Sequence, residues 1–335
     1  MKSSLRAEPV RVAIVGAGRV AQIHAAGLLA VPGVSVTAVV DPREDAAATL
    51  AEAVGGAKPL SDAAELFDRD DVDAVDIALP HDLHYPVAKM SLLAAKHVFM
   101  DKPLALTAAE GKELVELARE RDLRFMLCHN LLFHSAVIEA GQYVKQGHVG
   151  RVTTAESWSS GWLDLMPWDF RLSREKTGGG AWFDNGPHLL YVLQNWLGPI
   201  TEVIALAARG ESRIGGEDAC VAVARHADLA VSTARISYAD RLPGHQDPWP
   251  AGWTLGFEVH GTEGYVRCDV VPEPTVTTYA GTGAPRRDHI ATRFEAAFDA
   301  AIAEFVDAVR THRDPSVTGE DSLHILQLIE RAYRQ

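Results

Sequence analysis

The chain has 335 residues, 47% of them apolar, which is long enough for two domains with sizeable cores. Lys and Arg number 32 against 45 Asp and Glu, a net charge of −13 that opposes phosphate neutralisation and sets nucleic-acid binding aside. No apolar run reaches the roughly 18 residues of a membrane span, and no apolar signal region follows residues 1–8.

Residues 10–15 are an apolar run ending at a glycine and read as a strand; 19–30 are Ala-rich and helical. A β-branched run, 34–40, ends in Asp41, and 43–54 are helical again. A short helix over 62–67 is expected to take Ser61 as its cap. Residues 72–79 read as a buried strand stopped by Pro80, then come a helix over 83–96 and a strand over 97–100. Thr107 and Glu110 make a capping box for a helix over 107–121, and 124–128 close the series. Strands alternating with helices of about 10–15 residues indicate a parallel sheet built from βαβ units.

The pattern changes near residue 131. A helix over 133–146 leads to strands at 151–159, 201–208, 218–226, 230–238, 254–260 and 264–270. Direct succession with polar turns argues for a mainly antiparallel sheet. A Trp-rich loop (158–172), a glycine run (178–180) and a helix (187–196) lie among the strands, and helices at 293–312 and 320–334 end the chain. The expected organisation is therefore an α/β Rossmann domain over 1–130 and an α+β domain with a large open sheet over 131–335. The turn-rich segment 240–252 is a candidate lid or oligomer contact.

Gly16-Ala17-Gly18-Arg19-Val20-Ala21 is G-x-G-x-x-A directly after a strand and opening a helix. The first glycine permits the tight turn and the second lets backbone approach a pyrophosphate seated on the helix N-terminus. Arg19 and Val20 follow as further contacts. Asp41 ends the next strand, where a carboxylate accepts hydrogen bonds from the adenosine ribose hydroxyls and repels a 2′-phosphate. NAD(H) is favoured; Arg43, two residues on, keeps NADP(H) open. Cys128, Cys220 and Cys268 fit neither a disulfide framework nor a zinc pattern, so no metal is expected and a reducing cytoplasm is the simplest setting.

Asp101-Lys102-Pro103 places an ammonium at the carboxyl end of a strand, the edge where open α/β sheets bind ligands. Later, Gly178-Gly179-Gly180 leads to Asp184 and His188. Oxidation of a secondary alcohol needs a group to take the hydroxyl proton, and a histidine, near neutrality in pKa, suits that task. Pro187 suits a first helical position, which would put His188 in the first turn, where the helix dipole disfavours imidazolium. Asp184, four residues earlier, can orient the ring or bind a substrate hydroxyl. Lys102 can stabilise developing alkoxide charge.

In this order, the glycine motif, Leu79-Pro80 with His84, Asp101-Lys102-Pro103 and Asp184-x-x-x-His188 resemble the Gfo/Idh/MocA family of nicotinamide-dependent oxidoreductases, over residues 10–334. The resemblance implies that Lys102, Asp184 and His188 line the substrate site, and that the Lys102–Pro103 peptide is cis. It implies cofactor-side places for Pro80, His84, Trp168 and Arg171. Asp101 and Lys102 are expected on the cofactor side too, and His129 and Asn130, which end the last strand of the first domain, are expected to meet substrate or nicotinamide, His129 the substrate and Asn130 the cofactor. Trp158, Trp162 and Trp253 are candidate sugar-stacking rings. Three positions depart from the family pattern: Asp101 replaces a glutamate, Leu132 a frequent arginine and Tyr191 a frequent aspartate. The implied reaction is hydride exchange with a sugar, cyclitol or related polyol. Rival readings are a glycosidase that uses NAD for transient oxidation and a non-catalytic nicotinamide sensor. An open sheet exposes an apolar face in a monomer, so a homodimer or homotetramer formed through that sheet is expected.

Overall fold

The computed structural model describes residues 9–246 and 251–333. The chain divides into two compact units. The first gathers the chain up to Ala105, then Ala109–Asn130 and Phe298–Leu323; the second holds Leu106–Ala108, Leu131–Ala297 and the chain from His324. Residues 298–323, placed with the second domain in the sequence reading, thus pack with the first unit.

The first unit runs β1 (Val10–Val15), α1 (Arg19–Ala30), β2 (Val34–Val40), α2 (Glu44–Ala53), β3 (Lys58–Leu60), α3 (Ala64–Phe67), β4 (Ala74–Ile77), α4 (His84–Leu93), β5 (His97–Asp101), α5 (Ala108–Glu120) and β6 (Phe125–Cys128). All its strands are parallel, in the order β3-β2-β1-β4-β5-β6. Strands buried on both faces read as continuous apolar runs, which is why β1, β2, β4, β5 and β6 were visible in the sequence. The order reverses between β1 and β4, and such a switch point is where ligands lie at the carboxyl ends of the strands. β3 was not foreseen: its Lys-Pro-Leu has no apolar run, and Pro59 is tolerated because β3 is an edge. Ser61 does not cap α3; Asp62 Oδ1 accepts the Ala64 N–H at 2.9 Å instead.

The second unit contains α6 (Ser135–Lys145), β7 (Val152–Gly161), α7 (Arg174–Thr177), α8 (Ala181–Leu197), β8 (Ile200–Ala208), β9 (Ala219–His226), β10 (Val231–Ser237), β11 (Trp253–Gly261), β12 (Tyr265–Val271), β13 (Thr275–Tyr279) and β14 (Arg286–His289). They form an eight-stranded sheet, β14-β13-β12-β11-β7-β10-β9-β8, antiparallel except for the β7–β10 pair. α6 and α8 cover one face, where Ala155, Ile236, Phe257, Val266 and Cys268 are buried; Trp196 of α8 meets Phe257 edge-on at 5.4 Å. β14 has no signal in the sequence because it is charged and lies at the edge, where charge suppresses pairing with other chains, and β13, one strand in, is a short Thr-rich run, Thr-Val-Thr-Thr-Tyr, without apolar alternation. In the candidate lid 240–252, residues 247–250 lie outside the described residues.

The last helices are α9 (Ala296–Thr311) and α10 (Gly319–Tyr333). From Phe298 on, α9 belongs to the first unit. There Phe305 packs on Phe99 at 5.3 Å, and Gly27 admits Ile302 where a Cβ would stand 2.6 Å from its Cδ1.

Candidate active site

The first cluster lies at the carboxyl ends of the parallel strands. Gly16 has φ +107°, and a Cβ there would stand 2.2 Å from the Ala78 carbonyl oxygen, so only glycine fits. Gly18 is the N-cap of α1, and a Cβ there would meet nothing within 4 Å. The space in front of Gly18 is therefore open to a ligand approaching the first turn of α1, where Arg19 and Val20 stand. Asp41 is buried and heavily engaged. Its Oδ2 accepts the Ala17 N–H at 2.9 Å, and the Arg43 guanidinium forks across both oxygens at 2.9 and 3.0 Å. Burial pushes the carboxyl up, but the Arg43 and Ala17 bonds outweigh it and hold Asp41 below its usual value. An open glycine cradle, a helix N-terminus and a fixed carboxylate on the next strand together fit a dinucleotide.

Pro80 precedes the 3₁₀ turn His81–Leu83, and His84 opens α4. The His84 ring does not present itself to a ligand. It is fully buried, with Nδ1 2.7 Å from the Pro103 carbonyl oxygen and Nε2 2.9 Å from that of Leu79. It ties the end of β4 to the segment after β5, and burial lowers its pKa. The Lys102–Pro103 peptide is cis. Asp101, in place of the longer glutamate, turns back so that its Oδ1 accepts the Lys102 N–H at 2.9 Å. His129 and Asn130 are buried after β6, and burial together with the nearby Lys102 ammonium pushes His129 down to about 3.

The second cluster is built on α8, which begins at Ala181, not Pro187. His188 is therefore in the second turn, beyond the first turn to which the dipole effect is confined, and the dipole argument for a neutral ring does not hold there. Pro187 sits inside the helix without an N–H to give its preceding turn. Asp184 occupies the first turn, with His188 four residues later on the same helix face. Asp184 Oδ2 accepts the Tyr238 hydroxyl at 2.7 Å and lies 3.4 Å from Arg171 Nε. Asp169 holds Arg171 from the other side at 3.0 Å. Asn185 donates to Ser159 Oγ at 2.7 Å, pinning α8 to β7. Trp168 is separate from this network and 78% exposed. The three candidate stacking rings are occupied: Arg267 covers Trp158, Arg241 covers Trp162, and Trp253 packs on Tyr238.

Residues 10–129 match the sequence family described as "Oxidoreductase family, NAD-binding Rossmann fold", and residues 137–267 match the GFO/IDH/MocA C-terminal domain. The chain belongs to the GFO/IDH/MocA oxidoreductase family. It is 26% identical to a 1,5-anhydro-D-fructose reductase of Ensifer adhaerens, over 93% of this chain and 92% of that protein. It is also 26% identical to a myo-inositol 2-dehydrogenase of Thermotoga maritima, over 95% and 94% of the two chains. Among solved structures, GenD2 from gentamicin A biosynthesis in complex with NAD superposes with a TM-score of 0.83 at 26% identity, covering 100% of this chain and 96% of that one.

Membership makes the chain an oxidoreductase with an NAD-binding Rossmann fold. Of the departures from the family pattern, Tyr191 is buried within α8 and Leu132 is half-buried in the 3₁₀ turn Asn130–Phe133. Two residues of this family member escaped the sequence reading. Tyr238 follows β10 with no motif around it. Glu217 precedes β9 and carried no signal beyond the neighbouring Gly215-Gly216.

Proposed function

We propose that the protein is an NAD(H)-dependent oxidoreductase acting on a secondary alcohol or ketone of a sugar, cyclitol or related polyol. One observation carries the reading: a buried, doubly anchored carboxylate, Asp184, stands one helical turn ahead of His188 in a chain whose near-full-length relatives include a sugar reductase and a cyclitol dehydrogenase. Gly16, Gly18, Arg19 and Val20 receive the pyrophosphate, and Asp41 receives the adenosine ribose. Pro80, Asp101, Asn130 and Trp168 complete the cofactor surround, while His84 and Arg171 act by holding its neighbours. NAD is preferred because Arg43, the residue that would take a 2′-phosphate, is committed to Asp41.

When bound, the nicotinamide supplies the two-electron chemistry. Lys102 donates a hydrogen bond to the reacting oxygen and stabilises its developing charge. His188 takes the hydroxyl proton in oxidation and returns it in reduction. Asp184 orients the histidine or a substrate hydroxyl, and His129, kept neutral, adds a polar contact on the substrate side. A second copy of the chain covers the outer sheet face, where Ile204, Leu206, Val221 and Val223 are exposed on β8 and β9. The dimer or tetramer is read by light scattering on the eluting protein. Three buried free thiols suit a cytoplasmic setting.

The test is a panel of sugars, cyclitols and their ketones with NAD or NADH. Stoichiometric NADH formation with an oxidised product supports the proposal. Release of a free sugar without net NADH points to transient oxidation by a glycosidase, and cofactor binding without turnover across the panel points to a sensor.

A further inference from the structure

α8 carries both Asp184 and His188, yet no local residue caps it: Gly180, at the N-cap, has no side chain. The cap comes from a distant residue. Glu217 Oε1 accepts the N–H groups of Gly180 and Trp182, each at 3.1 Å. The Glu217 backbone carbonyl accepts the Ala181 N–H at 2.7 Å. One residue thus satisfies three consecutive donors that a helix start otherwise leaves orphaned. The same Oε1 accepts the Tyr333 hydroxyl at 2.5 Å, and burial beside Glu217 pushes that phenol up, keeping it a donor.

The surrounding glycines are shaped to this contact. A Cβ on Gly180 would stand 2.0 Å from the Glu217 carbonyl oxygen, and one on Gly216 would stand 2.4 Å from the Gly180 nitrogen. A Cβ on Gly179 would stand 2.3 Å from the Tyr333 hydroxyl. Side chains at Gly180 and Gly216 would force apart two backbones that meet directly, and one at Gly179 would displace the Tyr333 ring. Gly179 and Gly180, ahead of Asp184, therefore serve the clamp on the helix.

We infer that Glu217 is a positioning residue: it fixes the start of α8, and through it the placement of Asp184 and His188, by reach more than by charge. Asp184, two residues beyond the clamped segment, donates its own N–H to the Gly180 carbonyl at 3.0 Å. Loss of the clamp frays the turn holding Asp184, and small displacements of reacting groups cost orders of magnitude in rate. The inference rests on the proposed reaction for its catalytic part and on the fold alone for its structural part.

Three variants separate reach from charge. Glu217→Ala removes the acceptor, Glu217→Asp keeps the charge but retracts it by one methylene, and Glu217→Gln keeps an oxygen at full reach. Amide exchange over residues 180–185 and steady-state kinetics are measured on each full-length variant, with NAD affinity taken from direct titration. Alanine and aspartate are expected to accelerate exchange and lower kcat by about one to two decades, with NAD affinity unchanged. Glutamine is expected to recover most of both. If Glu217→Ala does not fold, the aspartate and glutamine pair decides alone. Unchanged exchange in Glu217→Asp, or faster exchange with wild-type kcat, overturns the inference. An inactive wild type across the substrate panel overturns the reaction and the catalytic part with it, and exchange then judges the clamp separately.

Discussion

The Tyr238 hydroxyl donates a 2.7 Å hydrogen bond to Asp184 Oδ2, within a pocket where both residues are buried. Asp184 is therefore an anchored anion, shared between Tyr238 and Arg171, and not a carboxylate free to swing. The Tyr238→Phe variant keeps the ring against Trp253 and deletes only the donor. A hydrogen bond to a charged buried group contributes about 1.5–3 kcal/mol, so kcat should fall by about one to two decades. NAD affinity should not move. Steady-state kinetics beside a cofactor titration check this, and wild-type turnover in Tyr238→Phe would show that Asp184 needs no such anchor.

Asp41 and Arg43 form one unit. Replacing Asp41 with alanine removes the ribose acceptor and also releases the Arg43 guanidinium from its fork. NAD should bind about tenfold or more weakly, while NADP, whose 2′-phosphate the freed arginine can meet, should lose little or gain. The ratio of the two dissociation constants is the measurement. An unchanged ratio would remove Asp41 from the ribose site.

Lys102→Met preserves much of the side-chain volume and removes the ammonium. Turnover should drop by about two to four decades with NAD affinity nearly intact, the scale of lost electrostatic and acid–base assistance. The same substitution should also relieve His129, which Lys102 helps hold down near 3. An NMR titration of the His129 ring should show its pKa rising toward, but not reaching, the ordinary value, because burial remains the larger cause. A ring that titrates as in the wild type would separate Lys102 from His129.

Legibility followed burial and locality. The inner Rossmann strands and β6 are readable because they are apolar runs between turn signals, and the glycine motif because its requirements are local. β3 and β14 were not, since edges carry Pro, Lys and Arg in place of apolar residues. The start of α8 was misplaced because Pro187 imitates a first helical residue, whereas the real cap, Glu217, lies far along the chain. Lys102, Asp184 and His188 stand out in the sequence as motif members, and their roles are those proposed above. Tyr238 was invisible for a related reason: a hydrogen bond between residues 54 apart in sequence leaves no periodicity behind.

The buried histidines give the protein two opposed pH limits. His24 Nδ1 lies 2.9 Å from Asp76 Oδ1 inside the first unit, against Phe99 and Phe298, with the Cys128 thiol beside it. Burial alone would lower the His24 pKa, but the Asp76 carboxylate outweighs it and holds the imidazolium well above 6.5. A raised folded pKa gives stability that is complete below the unfolded value of about 6.5 and is lost as pH rises through the folded value. His97, His129 and His134 have the opposite sign, since burial pushes them down to about 4, 3 and 4. Their contribution is present above about 6.5 and is lost as pH falls toward those values. Urea midpoints should therefore decline on both sides of a maximum near neutrality. The double substitution His24→Leu with Asp76→Leu replaces the buried pair by apolar volume, which such sites often tolerate. It should abolish the alkaline decline from this pair and leave the acid one in place. An alkaline decline identical to the wild type's would show that the pair is not its source.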